Sequence, residues 1–520
     1  MQIIPREYQE KIAKSAIEKK NTLIVLPTGT GKTVIGALII EHFLKKGEKC
    51  LFLAPTKPLV NQHEKKLKEF FYDSKYKISQ VTGQSNRKER LQIYQENDVI
   101  IATPQTVKND IEKTAVKNEP AGIISSFSCL IIDECHRAVG NYAYTYVTNA
   151  FFEQERIEKE SLMNTNKTII GLTASPGGNV ERIKEIMDAL KVENVEIRTE
   201  TDKDLQKYIP KKEIKWIEVE LTQEIKDAIS LLNELMDEKA KTLNELNINI
   251  SKKTPRGRLS QIYKNLVENR YMAALGHFAI FYNAFHGVEL LESESPTAYI
   301  KFLERLKERK KRIDWRFMQA ANKVKSVEHP KIAKIIELIK ERKGKKIIVF
   351  AQYRDQVHHI VEKLKENGIT AKEFLGKGKE GSAAHKKQKE TISEFADGKI
   401  QVLVASSIGE EGIDIPSADT AIFYEPVPSE IRMIQRRGRV GRLKEGEILI
   451  LIAKGTRDEI FRYVSAAKER KMKRVIKDII EKKKLEQKNN EKNKEKSKKE
   501  KKQANETPTI KQQTILDYFK

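Results

Sequence analysis

Lys32 and Thr33 close the stretch Leu26-Pro27-Thr28-Gly29-Thr30-Gly31-Lys32-Thr33. These residue types at this spacing suit a bound nucleoside triphosphate. Glycines let backbone N–H groups approach phosphate oxygens, the lysine reaches the β- and γ-phosphates, and the threonine hydroxyl sits on Mg²⁺. Thr28, Gly29, Thr30 and Gly31 would then line the cradle for ATP. The loop follows an apolar run, 22–26, that reads as a buried parallel strand. It precedes 34–43, which reads as a helix whose N-terminus adds a positive dipole end. Leu26 stands where the phosphate-loop pattern has its first glycine, so the loop entrance must be built without it.

A second constellation is Cys129-Leu130-Ile131-Ile132-Asp133-Glu134-Cys135-His136, an apolar strand ending in two carboxylates. Acids at the C-terminal edge of an open α/β sheet lie beside a phosphate loop. Asp133 can hold the Mg²⁺, and Glu134 can orient and deprotonate the attacking water. A third, Gln435-Arg436-Arg437-Gly438-Arg439-Val440-Gly441-Arg442, concentrates arginine, the residue suited to charge on a transferring phosphoryl group. Arg439 and Arg442 are read as fingers completing the site across a cleft, with Gln435 near the γ-phosphate or its water. ATP bridging two such halves would close them and hydrolysis would release them, so the cleft could ratchet along a polyanion.

Elements must position these groups. The chain has 520 residues, enough for about three domains at roughly 150 each. Strand candidates 22–26, 50–54, 99–103, 129–133 and 168–173 alternate with helical stretches, which argues a parallel sheet covered on both faces. Between 223 and about 327 no strand is legible. There Ile225, Ile229, Leu232 and Leu235, then Leu259, Ile262, Leu266 and Tyr271, then Ile300, Leu303 and Leu306 recur at helical spacing. Alternation resumes with strands 347–351, 402–406, 420–424 and 448–453 and helices 320–342, 356–366, 385–396 and 429–436. From 481 to 503 Lys, Glu, Asn and Gln dominate, too polar to pack, which reads as a disordered tether. The expected division is 1–200, 201–328, 329–480, 481–509 and 510–520.

Net charge is +24, with 39% hydrophobic and 33% charged residues. That leaves real cores under a basic surface and favours nucleic acid as partner before membrane. Cys50, Cys129 and Cys135 are too far apart for a disulfide framework or a zinc pattern. No stretch reaches the ~20 apolar residues of a membrane helix. A cytoplasmic, nucleoid-associated protein is expected.

Pro27–Thr33, Asp133–His136, Thr173-Ala174-Ser175 and Gln435–Arg442 resemble the motifs of superfamily 2 helicases. The extension from Asp133 to Tyr144, the 406–416 segment and the helical insert resemble archaeal Hef and its eukaryotic relatives FANCM and Mph1. The resemblance covers about 1–480. It implies an α/β fold: two RecA-like parallel-sheet domains, an all-helical domain inserted between them, and a disordered basic C-terminal tail. It implies an ATP-dependent helicase or translocase on forked or branched DNA. By the same resemblance Gln9, Gly412 and Asp414 are nucleotide contacts. Thr56, Lys57, Thr82, Gly83 and Thr103 of the first domain, with Gln352, Arg354 and Ser406 of the second, contact the nucleic-acid backbone. His136, Thr173 and Ser175 couple hydrolysis to strand movement. Backbone contacts position without reading sequence, so weak sequence preference and steep salt dependence are expected. In Hef-like proteins the insert grips duplex at a branch; here Arg256, Arg258 and Arg309 belong to its basic face.

The tail Gln512-Gln513-Thr514-Ile515-Leu516-Asp517-Tyr518-Phe519 resembles the PCNA-interacting peptide, with Gln512 for a polar pocket and Ile515, Tyr518 and Phe519 as apolar plugs. Two departures from the family stand out. Longer Hef proteins continue into an XPF-type nuclease, for which this chain stops too early. Glu308 to Asp314 spells ERK-x-x-x-D, but in a basic helical stretch with no strand to present metal-binding acids. Cys135 replaces an alanine common in Hef relatives and matches the DECH spelling of Dicer-related double-stranded-RNA helicases; it reads as a small core residue. An RNA-duplex translocase is therefore one alternative, and a catalytically idle clamp-bound scaffold another.

Overall fold

The computed structural model describes residues 4–464, apart from 117–122, 141, 161–166, 175–179, 201, 209–211, 309–312, 376–381, 407–417 and 427–445, together with 467, 470, 471, 474 and 478. Its first sheet comprises β1 (Thr22–Val25), β2 (Lys49–Leu53), β3 (Ile78–Val81), β4 (Val99–Ala102), β5 (Phe127–Ile132), β6 (Thr168–Thr173) and β7 (Asn194–Ile197). The order across the sheet is β3-β4-β2-β5-β6-β1-β7, every described pair parallel. Inner strands such as Thr22-Leu23-Ile24-Val25 are buried at every position because both faces are covered. Alternate side chains feed two cores: Leu23 and Val25 on one face, Ile24 and Leu26 on the other.

A second parallel sheet holds β8 (Lys212–Val219), β9 (Ile347–Ala351), β10 (Ala371–Phe374), β11 (Val402–Ser406), β12 (Thr420–Phe423) and β13 (Gly446–Ala453), ordered β10-β11-β9-β12-β13-β8. Ile347, Val349 and Ala351 enter one core, Ile348 and Phe350 the other. β8 lies within the stretch read from sequence as part of the helical insert, yet it pairs in register along β13, from Lys212 on Gly446 to Val219 on Ala453. Lys-Glu-Ile-Lys-Trp-Ile-Glu-Val carries charges between its apolar residues, as suits a strand at a sheet edge.

The described strand-free region holds helices Gln223–Glu245, Arg256–Glu268, Met272–Glu289, Pro296–Glu308 and Trp315–Val324 around one core that includes Leu232, Phe281 and Tyr299. The single helix expected over 320–342 is two, Trp315–Val324 and Pro330–Lys340. Pro330 has no N–H to continue a helix and suits a first helical turn, and the His329 side chain caps that start by accepting from Lys331 N. Glu308 ends one helix and Asp314 caps the next through Arg316 N at 3.0 Å, so these two ends of the ERK-x-x-x-D string serve helix termini. Among the described residues no cluster of His, Cys, Asp and Glu could hold a metal. None of the described helices is long and apolar enough to cross a membrane.

Candidate nucleotide site and nucleic-acid interface

The loop after β1 is shaped by two residues with positive φ, Gly29 and Gly31, both at 80°. That left-handed conformation favours glycine. At Gly31 a Cβ would also come within 2.4 Å of Gln9 Nε2, so it would displace the Gln9 amide. Gln9 is buried on the helix Glu7–Lys19 and donates from Nε2 to the Thr30 carbonyl at 3.0 Å. Tyr8 donates its hydroxyl to the same carbonyl, and Thr30 Oγ1 donates to Pro27 O at 2.7 Å. The loop is thus braced from outside and from within. Leu26 needs no glycine: its N–H donates to Thr173 O at 3.0 Å, and its side chain is buried. It extends the strand by one residue. Lys32 and Thr33 begin the helix Lys32–Lys45, and Lys32 Nζ lies over the loop, 3.3 Å from Leu26 O. Thr28 lies in the same loop.

β5 delivers Asp133 and Glu134 next door. Asp133 N donates to Leu53 O at 2.9 Å, continuing the β5–β2 pairing. Its buried carboxylate meets His63 Nε2 at 2.8 Å. Burial opposes its charge, but the hydrogen bond from His63, with the Lys32 charge behind it, outweighs burial and holds the carboxyl below its usual value. Glu134 has a left-handed backbone, φ 48°, which costs a non-glycine residue roughly 1–3 kcal/mol and recurs at functional sites. Its Oε2 sits 3.3 Å from His136 Nδ1, an ion-pair distance without hydrogen-bond alignment. His136 Nδ1 also meets Thr173 Oγ1 at 3.1 Å, joining the ends of β5 and β6. Cys135 is fully buried, its thiol pushed well up by burial, and a Cβ on Gly171 would sit 3.1 Å from its sulfur. It fills a small core space.

The fit of ATP and Mg²⁺ rests on these groups. A glycine-shaped loop opening into a helix N-terminus offers N–H donors to phosphate. Thr33 and Asp133 supply oxygen ligands of the kind Mg²⁺ takes, few in number because the ion keeps waters and phosphate oxygens.

The other half of the same sheet edge carries different residues. Thr56 precedes the helix Lys57–Phe70 after β2, Thr82 and Gly83 follow β3, and Thr103 follows β4. Thr56 Oγ1 has no hydrogen-bond partner among the described residues. Lys57 Nζ bonds Gln84 Oε1, tying the β2 and β3 turns together, while Thr103 Oγ1 is engaged by Thr106 Oγ1 at 2.8 Å. Behind them Arg90 Nε donates to the fully buried Asp110 at 2.8 Å, locking the helices that follow β3 and β4. In the second sheet Gln352 and Arg354 follow β9, and Ser406, buried, ends the neighbouring β11 opposite Ala351. Arg256 and Arg258 are exposed on the first turn of their helix. Ser175, Arg309, Gly412, Asp414, Gln435, Arg439 and Arg442, and the tail with Gln512, Ile515, Tyr518 and Phe519, lie outside the described residues.

Sequence reasoning missed His63, Arg90 and Asp110. A signal for His63 was present: Val60, His63, Leu67 and Phe70 fall at helical spacing, and all are buried. A histidine in an apolar stripe needs a partner inside.

Residues 2–178 match the family model described as type III restriction enzyme, res subunit, and 330–444 match the helicase conserved C-terminal domain. The crystal structure of the Pyrococcus furiosus Hef helicase domain aligns with a TM-score of 0.67 at 36% identity, covering 89% of this chain and 98% of that one. The ATP-dependent DNA helicase fml1 of Schizosaccharomyces pombe is 30% identical, covering 86% of this chain and 57% of its own. A Methanocaldococcus jannaschii protein named as an ATP-dependent RNA helicase is 38% identical, covering 91% of this chain and 61% of its own. The chain thus spans little more than half the length of these curated relatives.

Two parallel-sheet domains, one bearing a phosphate loop beside paired acids, with matches to the restriction-enzyme res-subunit model and to the helicase C-terminal model, define a superfamily 2 helicase. More narrowly, the chain belongs to the family of Hef, FANCM and Mph1.

Proposed function

We propose that this chain is an ATP-driven DNA helicase or translocase acting on forked or branched DNA, tethered to the sliding clamp for fork repair and recombination. One observation carries the reading. The β5-β6-β1 half of one sheet edge gathers Lys32, Asp133, Glu134 and Thr173, while the adjoining β3-β4-β2 half gathers Thr56, Thr82 and Thr103. A single rigid sheet then holds nucleotide at one half and strand at the other.

In this reading Gln9 contacts the base, residues 28–33 cradle the phosphates, and Thr33 and Asp133 hold Mg²⁺. Bound there, the ion neutralises charge on the β- and γ-phosphates. Glu134, with no aligned hydrogen bond on its Oε2 among the described residues, orients a water and takes its proton. Gln435, Arg439 and Arg442 reach in from the second domain, as do Gly412 and Asp414. His136 passes a change at the acids to Thr173 and on to Ser175. Thr56, Lys57, Thr82, Gly83, Thr103, Gln352, Arg354 and Ser406 hold phosphates of the strand; Arg256, Arg258 and Arg309 hold the duplex arm. The domains 1–200, 201–328, 329–480, 481–509 and 510–520 would serve as motor half, duplex grip, second motor half, tether and clamp peptide, with β8 built into the second motor half.

The name of one relative specifies RNA and another DNA, so substrate sugar is a direct test. ATPase is measured with forked DNA, linear duplex and RNA duplex for wild type, Lys32→Ala and Glu134→Gln. Forked DNA should stimulate most, Lys32→Ala should abolish turnover, and Glu134→Gln should bind ATP yet turn over on the order of a hundredfold slower. Stronger stimulation by RNA, through its 2′-OH, overturns the DNA assignment. Undiminished turnover in Glu134→Gln overturns its role as base.

A further inference from the structure

The turn that joins β3 to the helix Arg87–Glu96 runs from Thr82 to Asn86. Ser85 N donates to Thr82 O at 3.3 Å. Asn86 ends the turn as a helix cap: its side chain accepts from Glu89 N at 2.9 Å, and the Glu89 carboxylate accepts from Asn86 N at 3.2 Å. Gly83 stands in open space. A Cβ there would meet nothing within 4 Å, and its φ is not positive. Neither backbone conformation nor packing among the described residues asks for glycine at this position. Open space over a bare backbone suits the close approach of a ligand.

One guanidinium ties this turn to its neighbour. Arg90, one turn into its helix, is 8% exposed, and Asp110, on the helix Pro104–Val116 after β4, is fully buried. Arg90 Nε donates to both Asp110 oxygens, at 2.8 and 3.1 Å, and Nη2 donates to one of them as well. Nη1 donates instead to Ser85 O. A single planar group therefore grips one helix and one turn together. Asp110 lies about two helical turns beyond Thr103, the residue from which its helix departs.

Register sets the two joined parts side by side. Val81 pairs with Ala102, so Thr82 and Thr103 are the next positions on neighbouring strands, roughly 4.8 Å apart across the sheet. Loops at a sheet edge are mobile by default. A shift of about 1 Å is enough to spoil contacts made jointly to one ligand. We propose that Arg90 and Asp110 are a positioning pair that holds the Thr82–Ser85 turn at a fixed offset from Thr103, so that both engage the same stretch of phosphate backbone. This rests on the DNA-translocase reading and deepens it by naming what aligns two of its strand contacts.

Arginine suits this task and lysine does not. A guanidinium offers a rigid fork with a further donor, whereas an ammonium is one point of charge on a flexible stem. A buried ion pair is in itself weak evidence of stabilisation, since apolar residues of similar volume often serve as well. What this pair adds is direction. It lies behind the β3-β4-β2 half of the sheet edge, apart from the β5-β6-β1 half that carries Lys32 and Asp133.

The test follows ATPase against fork concentration in the full chain, and without DNA, for wild type, Arg90→Lys, Thr82→Val and the apolar pair Arg90→Met with Asp110→Leu. Arg90→Lys keeps a charge for Asp110 and gives up Ser85 O. The apolar pair removes both charges together and leaves no lone charge buried; should it not fold, Arg90→Lys decides alone. Both should raise the half-saturating fork concentration about tenfold, the order of a lost hydrogen bond to a charged group, and leave the DNA-free rate unchanged. Thr82→Val should raise it too, and Arg90→Lys added to Thr82→Val should cost little more, because both act through one contact. The salt dependence of fork binding should keep its slope, since the contacts at stake are uncharged donors. A slope lower by about one in the apolar pair would mean that Arg90 itself meets a phosphate. Losses that multiply with Thr82→Val would mean that it acts elsewhere. Either result overturns the positioning pair. So does an unchanged half-saturating concentration with a lower urea midpoint, which would make the bond purely structural. If DNA of no form stimulates the wild type, the translocase reading falls and the positioning pair with it.

Discussion

The Asp133 carboxyl is held below its usual value chiefly by a residue from another element. His63, on the helix begun by Thr56, donates to it at 2.8 Å and packs tilted against Phe52, ring centroids 4.6 Å apart. The proposed metal ligand is therefore wired to the helix that carries a proposed strand contact. Removing the donor leaves burial opposed only by the Lys32 charge and the Glu134 backbone N–H, so the Asp133 pKa rises. Its anion is favoured above the unfolded value of 3.8 and is lost as pH falls through the folded value; in His63→Ala that loss comes at higher pH. We expect His63→Ala to raise the Mg²⁺ concentration for half-maximal ATPase roughly tenfold and to move the acid limb of the rate profile upward. An unchanged Mg²⁺ requirement would reduce His63 to packing on Phe52. The phosphate loop was legible residue by residue because its function depends on neighbours in the chain. His63 was not, because its partner is seventy positions away.

Elements were legible in proportion to their burial. The strands inside the two sheets are dominated by apolar residues, and each is found near its expected place. The strands missed, β3, β7, β8 and β10, are the sheet edges. Edge strands face solvent, and Ile-Ser-Gln-Val or Ala-Lys-Glu-Phe has no apolar run to detect. A similar blindness hid the joint between insert and second sheet. There Lys331 Nζ meets Asp458 at 2.6 Å with both side chains buried, Ser293 Oγ donates to Asp458 at 2.8 Å, and the Tyr424 hydroxyl donates to Glu294 O at 2.6 Å. Burial, with the Lys331 charge beside it, drives His329 down to about 3, while burial pushes Glu292 up to about 7. The signs oppose. His329 contributes stability that is present above pH 6.5 and lost as pH falls towards 3. Glu292 contributes stability that is present below pH 4.5 and lost as pH rises through 7. His329→Asn keeps a capping acceptor for Lys331 N and removes the titration. Urea midpoints measured from pH 7.5 to 4 should fall less steeply in His329→Asn than in wild type; parallel curves would mean that His329 is protonated in the fold.

For the whole molecule, charge comes before contacts. An excess of +24 favours polyanionic partners irrespective of sequence. If Ile515, Tyr518 and Phe519 plug a clamp groove, Phe519→Ala should weaken clamp binding about thirtyfold in a direct titration, as for a buried aromatic anchor. Undiminished affinity would discard the tail as a clamp ligand.

By itself the sequence determined the motifs, the inner strands of both sheets and the existence of a helical insert, all of which follow from spacing within a few turns or one strand. Tertiary structure alone decided that β8 belongs to the second sheet, that His63 holds Asp133, and that Leu26 can stand in for a glycine by pairing with Thr173. Each of these joins residues remote in the chain, and local periodicity does not carry that.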